Sequence, residues 1–153
     1  MQRYEIVKDY VYSQYLKIYN TAIKQHAIVH TAMVDSNAAL LAIKRNQDVE
    51  LAKIAALLHD YAQFVENCPH SKHAQLSAEF AQKYLSETGL FSDEEIQMVS
   101  EAIRLHSNKD QIDSKFCEII KDADVMARFL EDPDSKMSPS KEKRWHKIST
   151  QNF

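Results

Sequence analysis

LAKIAALLHD, Leu51 to Asp60, carries the strongest fold signal in the chain. It starts as an apolar helix and ends in two residues that do not suit an apolar core. On a helix begun at Leu51, the side chains of Ala52, Ala55, Ala56 and His59 fall on one stripe, at spacings of three and four. His59 therefore sits on the core side, and Asp60 follows at once. Burying an imidazole and a carboxylate is costly unless a charged or hydrogen-bonding group receives them. A metal ion is such a group. The alternative is an ordinary helix end, where a positive charge near the C-terminus is welcome. The dipeptide alone favours the helix end, so the rest of the chain has to decide.

The chain has 153 residues, 44% hydrophobic and 27% charged, which reads as a single domain over residues 1–153 with a real core. A net charge of −3, with the seven histidines neutral, argues against a general nucleic-acid binder. No apolar run approaches the ~18 residues of a membrane span. The opening MQRYEIVKDY is charged from the start and lacks a signal-peptide apolar region, so a cytoplasmic location is expected. Cys68 and Cys117 accordingly read as free thiols. A single glycine leaves almost nothing for hairpins or bulges. Nucleotide-binding motifs built on several glycines are excluded with it. The expectation is an all-α, single-domain bundle of about six or seven helices.

Periodicity and capping residues place these helices. The first covers about residues 4–18, with Val7, Val11, Tyr15 and Ile18 on one side and Tyr10, Tyr12 and Tyr19 also packing it. The second is capped by Asn20 or Thr21 and runs to about Arg45, with the stripe His26, His30, Val34, Asn37, Ala38, Leu41. Asp48 caps the LAKIAALLHD helix. A loop with Asn67, Cys68 and Pro69 follows, and Ser71 is the expected cap of a fourth helix carrying His73, Ser77, Phe80, Ala81 and Tyr84. Gly89 sits where a left-handed C-terminal cap is needed. Ser92 with Glu95 makes a capping box for a fifth helix that turns Ile96, Val99, Ala102, Ile103 and His106 inward. After a polar loop, a sixth helix over about 114–130 carries Phe116, Ile119, Ile120, Ala123, Ala127 and Leu130 as its core stripe. Met33, Met98 and Met126 read as core filler. At ~100° per residue, Asp124 lies roughly 90° from the centre of the last stripe and Asp122 roughly 110°, which leans towards Asp124 as the inward carboxylate. The segment 132–153 is a polar tail with a basic cluster, KEKRWHK. It is read either as a short helix docked through Trp145 or as partly mobile, with His146 given no role.

Four helices thus each bring a histidine to an inner face or end: His30, His59, His73 and His106. Asp60 and Asp124 add carboxylates. Neutral imidazole and carboxylate oxygen suit manganese, iron, cobalt, nickel or zinc. Ligands converging from separate helices are an established way to build such a site inside a bundle. His26 and His70 lie close in sequence to this set and are read as neighbours of the site rather than ligands.

The order His30, then His59-Asp60, then Asp124 resembles the HD superfamily of metal-dependent phosphohydrolases. The surrounding segments HTAMVDSNAALLA, ELAKIAALLHD, HAQLSAEFAQKYL, EAIRLHS and IIKDADVMARF match it in order and cover about residues 24–130. The resemblance implies that His30, His59, Asp60 and Asp124 are the core metal ligands, with His59 and Asp60 central to catalysis. It implies further that His73 and His106 hold a second ion, and that Asp60 bridges if there are two. Its Ala-Asp pair also favours Asp124 over Asp122. HD-type diadenosine tetraphosphate hydrolases have HDYAK where this chain has HDYAQ. Gln63 thus stands in place of a lysine, and the connection from Asp60 to His73 is shorter.

The expected cofactor is one or two divalent transition-metal ions. The expected chemistry is attack of metal-bound hydroxide on a phosphate ester or anhydride in a small, nucleotide-like molecule. Arg104, Arg128, Lys72, Lys109 and Gln63 are the candidate substrate-binding residues, the two arginines leading because a guanidinium grips phosphate in two prongs. No membrane or nucleic-acid partner is expected, and self-association is left open. The rival reading, motivated by Gln63, is a weakly active or inactive nucleotide-binding module on the same fold.

Overall fold

Four polar side chains fix where helices begin. Asn20 accepts from the Ile23 amide (3.0 Å), Asp48 from Leu51 (2.8 Å), Ser92 from Glu95 (3.3 Å) and Ser114 from Cys117 (3.2 Å). Each such cap is worth about 1 kcal/mol. Ser92 and Glu95 form the reciprocal capping box, and Gly89 ends its helix at φ +65°, as the sequence leads one to expect.

A computed structural model gives the architecture and describes residues 1–150. The helices are α1 (Gln2–Tyr15), α2 (Thr21–Lys44), α3 (Val49–Leu58), α4 (Tyr61–Val65), α5 (His73–Thr88), α6 (Asp93–Leu105), α7 (Lys115–Glu131) and α8 (Pro139–Ser149), with a 3-10 turn at His70–Lys72. No strand occurs among the described residues, and no helix there is long and apolar enough to cross a membrane. The all-α bundle is the expected one.

Helix α3 is the axis of the bundle. It packs against α1, α2, α5, α6 and α7, and Leu51, Ala52 and every residue from Ile54 to Leu58 are buried. The alanines let the neighbouring helices come close, while Ile54, Leu57 and Leu58 each contribute about 1.5–3 kcal/mol by burial. A helix buried all round carries its last residues into the middle of the molecule, so His59 is placed there by α3 itself.

Several expectations fail locally. The loop at Asn67, Cys68 and Pro69 is present, but a short helix that the sequence reading does not place, α4, precedes it. Ser71 does not cap α5. The turn before that helix is closed by the Lys72 amide on the Pro69 carbonyl (2.9 Å), which leaves Lys72 at the cap position without a side-chain bond. Met98 is 42% exposed, because it lies across α6 from Ile96 and Val99. Leu130 is 51% exposed because the inward position after Ala127 goes to Glu131. Tyr19 is fully exposed, since α1 ends at Tyr15 and leaves it in the connection to α2. The tail residues from Pro139 to Ser149 do dock as a helix. Its buried residues are Arg144 and Ile148, while Trp145 is half-buried and stacks on Phe129 at 3.9 Å.

Candidate metal centre

The break between α3 and α4 builds the centre. His59 closes α3, and Asp60 takes the N-cap position of α4 yet makes no capping bond with its side chain. Its carboxylate points instead at four imidazoles. Oδ2 lies 3.3 Å from His59 Nε2 and 3.7 Å from His30 Nε2. Oδ1 lies 3.2 Å from His73 Nε2 and 3.3 Å from His106 Nε2. One carboxylate thus serves two pairs of histidines, one pair per oxygen. Asp124 joins the first pair, with Oδ1 3.3 Å from His30 Nε2.

The tautomers follow from what stands behind each ring. The Nδ1 of His59, His73 and His106 donates to the carbonyls of Ala56 (2.7 Å), His70 (2.5 Å) and Ile103 (2.7 Å). A carbonyl only accepts, so the proton of each neutral ring is on Nδ1 and the lone pair is on Nε2. The Nε2 atoms of His73 and His106 then face each other at 3.1 Å, two lone pairs with no proton of their own between them. His59 Nε2 and Asp60 Oδ1 are buried without a hydrogen-bond partner, although ligand-type atoms stand just over 3 Å away.

Converging lone pairs at these separations are what a cation satisfies. Ligand atoms about 2.0–2.2 Å from one ion stand roughly 3.0–3.5 Å apart. Two groups of three buried donors meet that condition, His30-His59-Asp60 and Asp60-His73-His106. Imidazole and carboxylate together suit a divalent transition metal.

The carboxylates raise two of the rings, His30 and His73, against burial, while burial lowers a third, His106. Burial opposes charge on Asp60, yet the surrounding histidines hold its carboxyl well below the usual range. Burial also opposes charge on Asp124, and Lys109 with His30 holds it low in the same way. For His30, burial is outweighed by the Asp124 and Glu131 carboxylates, which raise it to about 10. Burial lowers His106 despite Asp60.

The candidate substrate-binding residues divide. Arg128 and Gln63 line the small cavity over the centre, and Arg104 lines an open groove of about 650 Å³ that meets it at His70, His73 and Ser107. Lys109 lines the same small cavity, but it is buried and committed, donating to Asp124 Oδ2 (2.6 Å) and the His106 carbonyl (2.5 Å). Lys72 is exposed and lines neither space. His26 lies at the rim, exposed and stacked on His30 at 5.5 Å. His70 stacks on His73 at 4.5 Å and contacts Gln63 at 3.1 Å.

Two residues at the centre, Glu131 and Lys141, are not expected from the sequence. Glu131 Oε1 stands 3.2 Å from His30 Nδ1, and Lys141 brings α8 to the cavity. Glu131 follows Asp124 by seven residues, two helical turns, so the shared face is readable in the spacing. Lys141 is hidden in a basic cluster whose docking the periodicity does not reveal.

The HD domain family model matches residues 27–128, most of the chain. The chain belongs to the HD-domain family. The crystal structure of a predicted HD superfamily hydrolase from an uncultured Thermotogales bacterium superposes with a TM-score of 0.66 at 28% identity, over 95% of this chain and 86% of that one. Ribonuclease Y 1 of Pediococcus pentosaceus is 39% identical over 66 residues, which is 43% of this chain and 13% of the relative. Ribonuclease Y of Oceanobacillus iheyensis is 28% identical over 109 residues, 71% of this chain and 19% of that protein. The chain therefore spans under a fifth of these curated relatives. Membership of the HD-domain family and the hydrolase neighbour support, in general terms, a metal-dependent phosphohydrolase.

Proposed function

We propose that this HD-domain protein hydrolyses a phosphate ester or anhydride in a small, nucleotide-like molecule, using divalent metal held by His30, His59, Asp60, Asp124, His73 and His106. The observation that carries the proposal is the division of Asp60, whose two oxygens each face a different histidine pair while His59 Nε2 lacks any other partner. A divalent ion bound there supplies Lewis acidity and a water acidified towards neutrality.

The protein's own groups do the rest. The backbone carbonyls behind three histidines and Glu131 behind the fourth hold each Nε2 aimed inward, so little reorganisation is needed when charge develops. Lys109 holds one oxygen of Asp124 and leaves the other facing His30. Arg128 and Lys141, both lining the cavity, meet the phosphoryl oxygens, and Arg104 meets the part of the substrate that lies in the open groove. A small substrate fits a cavity of about 120 Å³ that meets a larger open groove.

The test is turnover on a panel of phosphomonoesters, nucleoside phosphates, dinucleoside polyphosphates and a short RNA, with manganese, cobalt or iron added. Hydrolysis that His59→Ala abolishes is the expected outcome. Full activity in chelator-treated protein, or no hydrolysis across the panel, contradicts the proposal.

A further inference from the structure

Three of the four histidines at the centre are backed by neutral carbonyls three residues earlier in their own chain segments. His30 is the exception. Its Nδ1 meets the carboxylate of Glu131, contributed by the last residue of α7 and 101 positions away in sequence. Glu131 is drawn in from beyond the region that the family model matches.

The geometry points to Glu131 as a positioning residue that makes the His30 half of the centre the stronger cation site. This rests on reading the centre as a metal site. The half made by His30, His59, Asp124 and one oxygen of Asp60 has two carboxylates in it, but Lys109 pairs with Asp124 at 2.6 Å. That pair is formally neutral. The half made by His73, His106 and the other oxygen of Asp60 has only neutral carbonyls behind it. Lys109 also donates to the His106 carbonyl, so its charge bears on both halves, and among the described residues Glu131 is the carboxylate that stands behind a histidine of the centre. Arg128, one turn earlier on α7, is exposed, so water and salt screen its pull on that carboxylate. Glu131 itself is 17% exposed at its side chain, in a setting where its charge reaches the imidazole with less screening. A carboxylate behind a ligating histidine fixes the ring and makes the other nitrogen a better donor.

The experiment is titration of manganese alone into the metal-free full chain, followed by calorimetry, for the wild type, Glu131→Ala, Glu131→Gln and His106→Ala. Loss of a carboxylate behind a ligand costs about 10–100-fold in metal affinity. Glu131→Ala is therefore expected to weaken the first manganese ion by that factor. Glu131→Gln keeps an acceptor for Nδ1 but not the charge, and is expected to fall between Glu131→Ala and the wild type. His106→Ala is expected to leave the first ion within about twofold of wild type, because that ion sits in the other half. Unchanged first-ion affinity in Glu131→Ala overturns the inference, and so does weakening by His106→Ala instead. Helical circular dichroism checks folding, and the near-isosteric Glu131→Gln decides the matter should the alanine variant not fold. No turnover is read, so a protein that binds manganese in this pattern but hydrolyses no phosphate compound would lose the proposed function and keep this inference.

Discussion

Asp122 and Asp124 stand two residues apart on α7, and they end in opposite kinds of surroundings. Asp122 accepts from Arg45 (2.6 Å) and Arg144 (2.9 Å). Arg144 also donates to Glu118 (2.7 Å) and to the carbonyls of Lys109 and Gln111 (both 2.6 Å). In that cluster, positive and negative groups alternate and the arginine's donors find acceptors. Around Asp124 and Asp60, by contrast, imidazole lone pairs converge, and two buried atoms have no hydrogen-bond partner. Both clusters take charge out of water, and both would be costly if left incomplete. The first holds α8 and the loop before α7 in place, while the second gathers donors of the kind that suit a divalent ion. The two meet at Lys109, whose carbonyl belongs to the first and whose ammonium belongs to the second.

The contrast between the two clusters is most vulnerable at Arg144. Arg144→Ala leaves Asp122 with Arg45 alone and takes from half-buried Glu118 its nearest cation, and is expected to cost about 3 kcal/mol in urea unfolding. A loss under about 1 kcal/mol would mean that this cluster is no more structural than a surface pair.

Acid provides a second lever on the same cluster. Burial alone would raise Glu118, but Arg144, the Asp113 amide and Lys121 hold it below its ordinary 4.5. A carboxylate held low adds stability above its unfolded value and loses it as pH falls through its folded value. The stability gap between wild type and Arg144→Ala should therefore narrow as pH drops below about 4.5. A gap that stays constant from pH 7 to 3 would contradict the assignment.

The mildest change is expected at the rim of the histidine cluster. Lys141→Ala removes one partly exposed cation facing the cavity, and should raise KM about fivefold, the ~1 kcal/mol of a solvent-exposed charge pair, with kcat nearly unchanged. A fall in kcat with KM unmoved would place Lys141 in the chemistry instead.

Much of this arrangement is legible in the sequence. The alanine stripe ending in His59 announces the core-facing side of that helix, and the burial of Ile54, Leu57 and Leu58 as well is what the packing adds. Capping residues locate the starts of α2, α3, α6 and α7, since a cap is a local signal that tertiary packing seldom overrides. The metal-type residues His30, His59, Asp60, His73, His106 and Asp124 do converge. Lys109 is harder to read. It lies in a polar loop, which in sequence suggests a solvated cation, and its burial depends on Arg144 from a helix whose docking depends on long-range contacts. Glu131 escapes notice for a related reason. Leu130 looks like the next core residue by composition, which hides the seven-residue spacing from Asp124 that puts Glu131 on the inward face.

Everything proposed for the centre turns on Asp60 being shared between its two halves, and the metal content of purified variants reads that sharing without intermediaries. Manganese-loaded protein, freed of excess metal and analysed for bound ions per chain, should hold two in the wild type, one for each donor group, one in His106→Ala, and no more than one in Asp60→Ala, where only His30, His59 and Asp124 stay together. An Asp60→Ala protein that is folded and still holds two ions would contradict the sharing of that carboxylate.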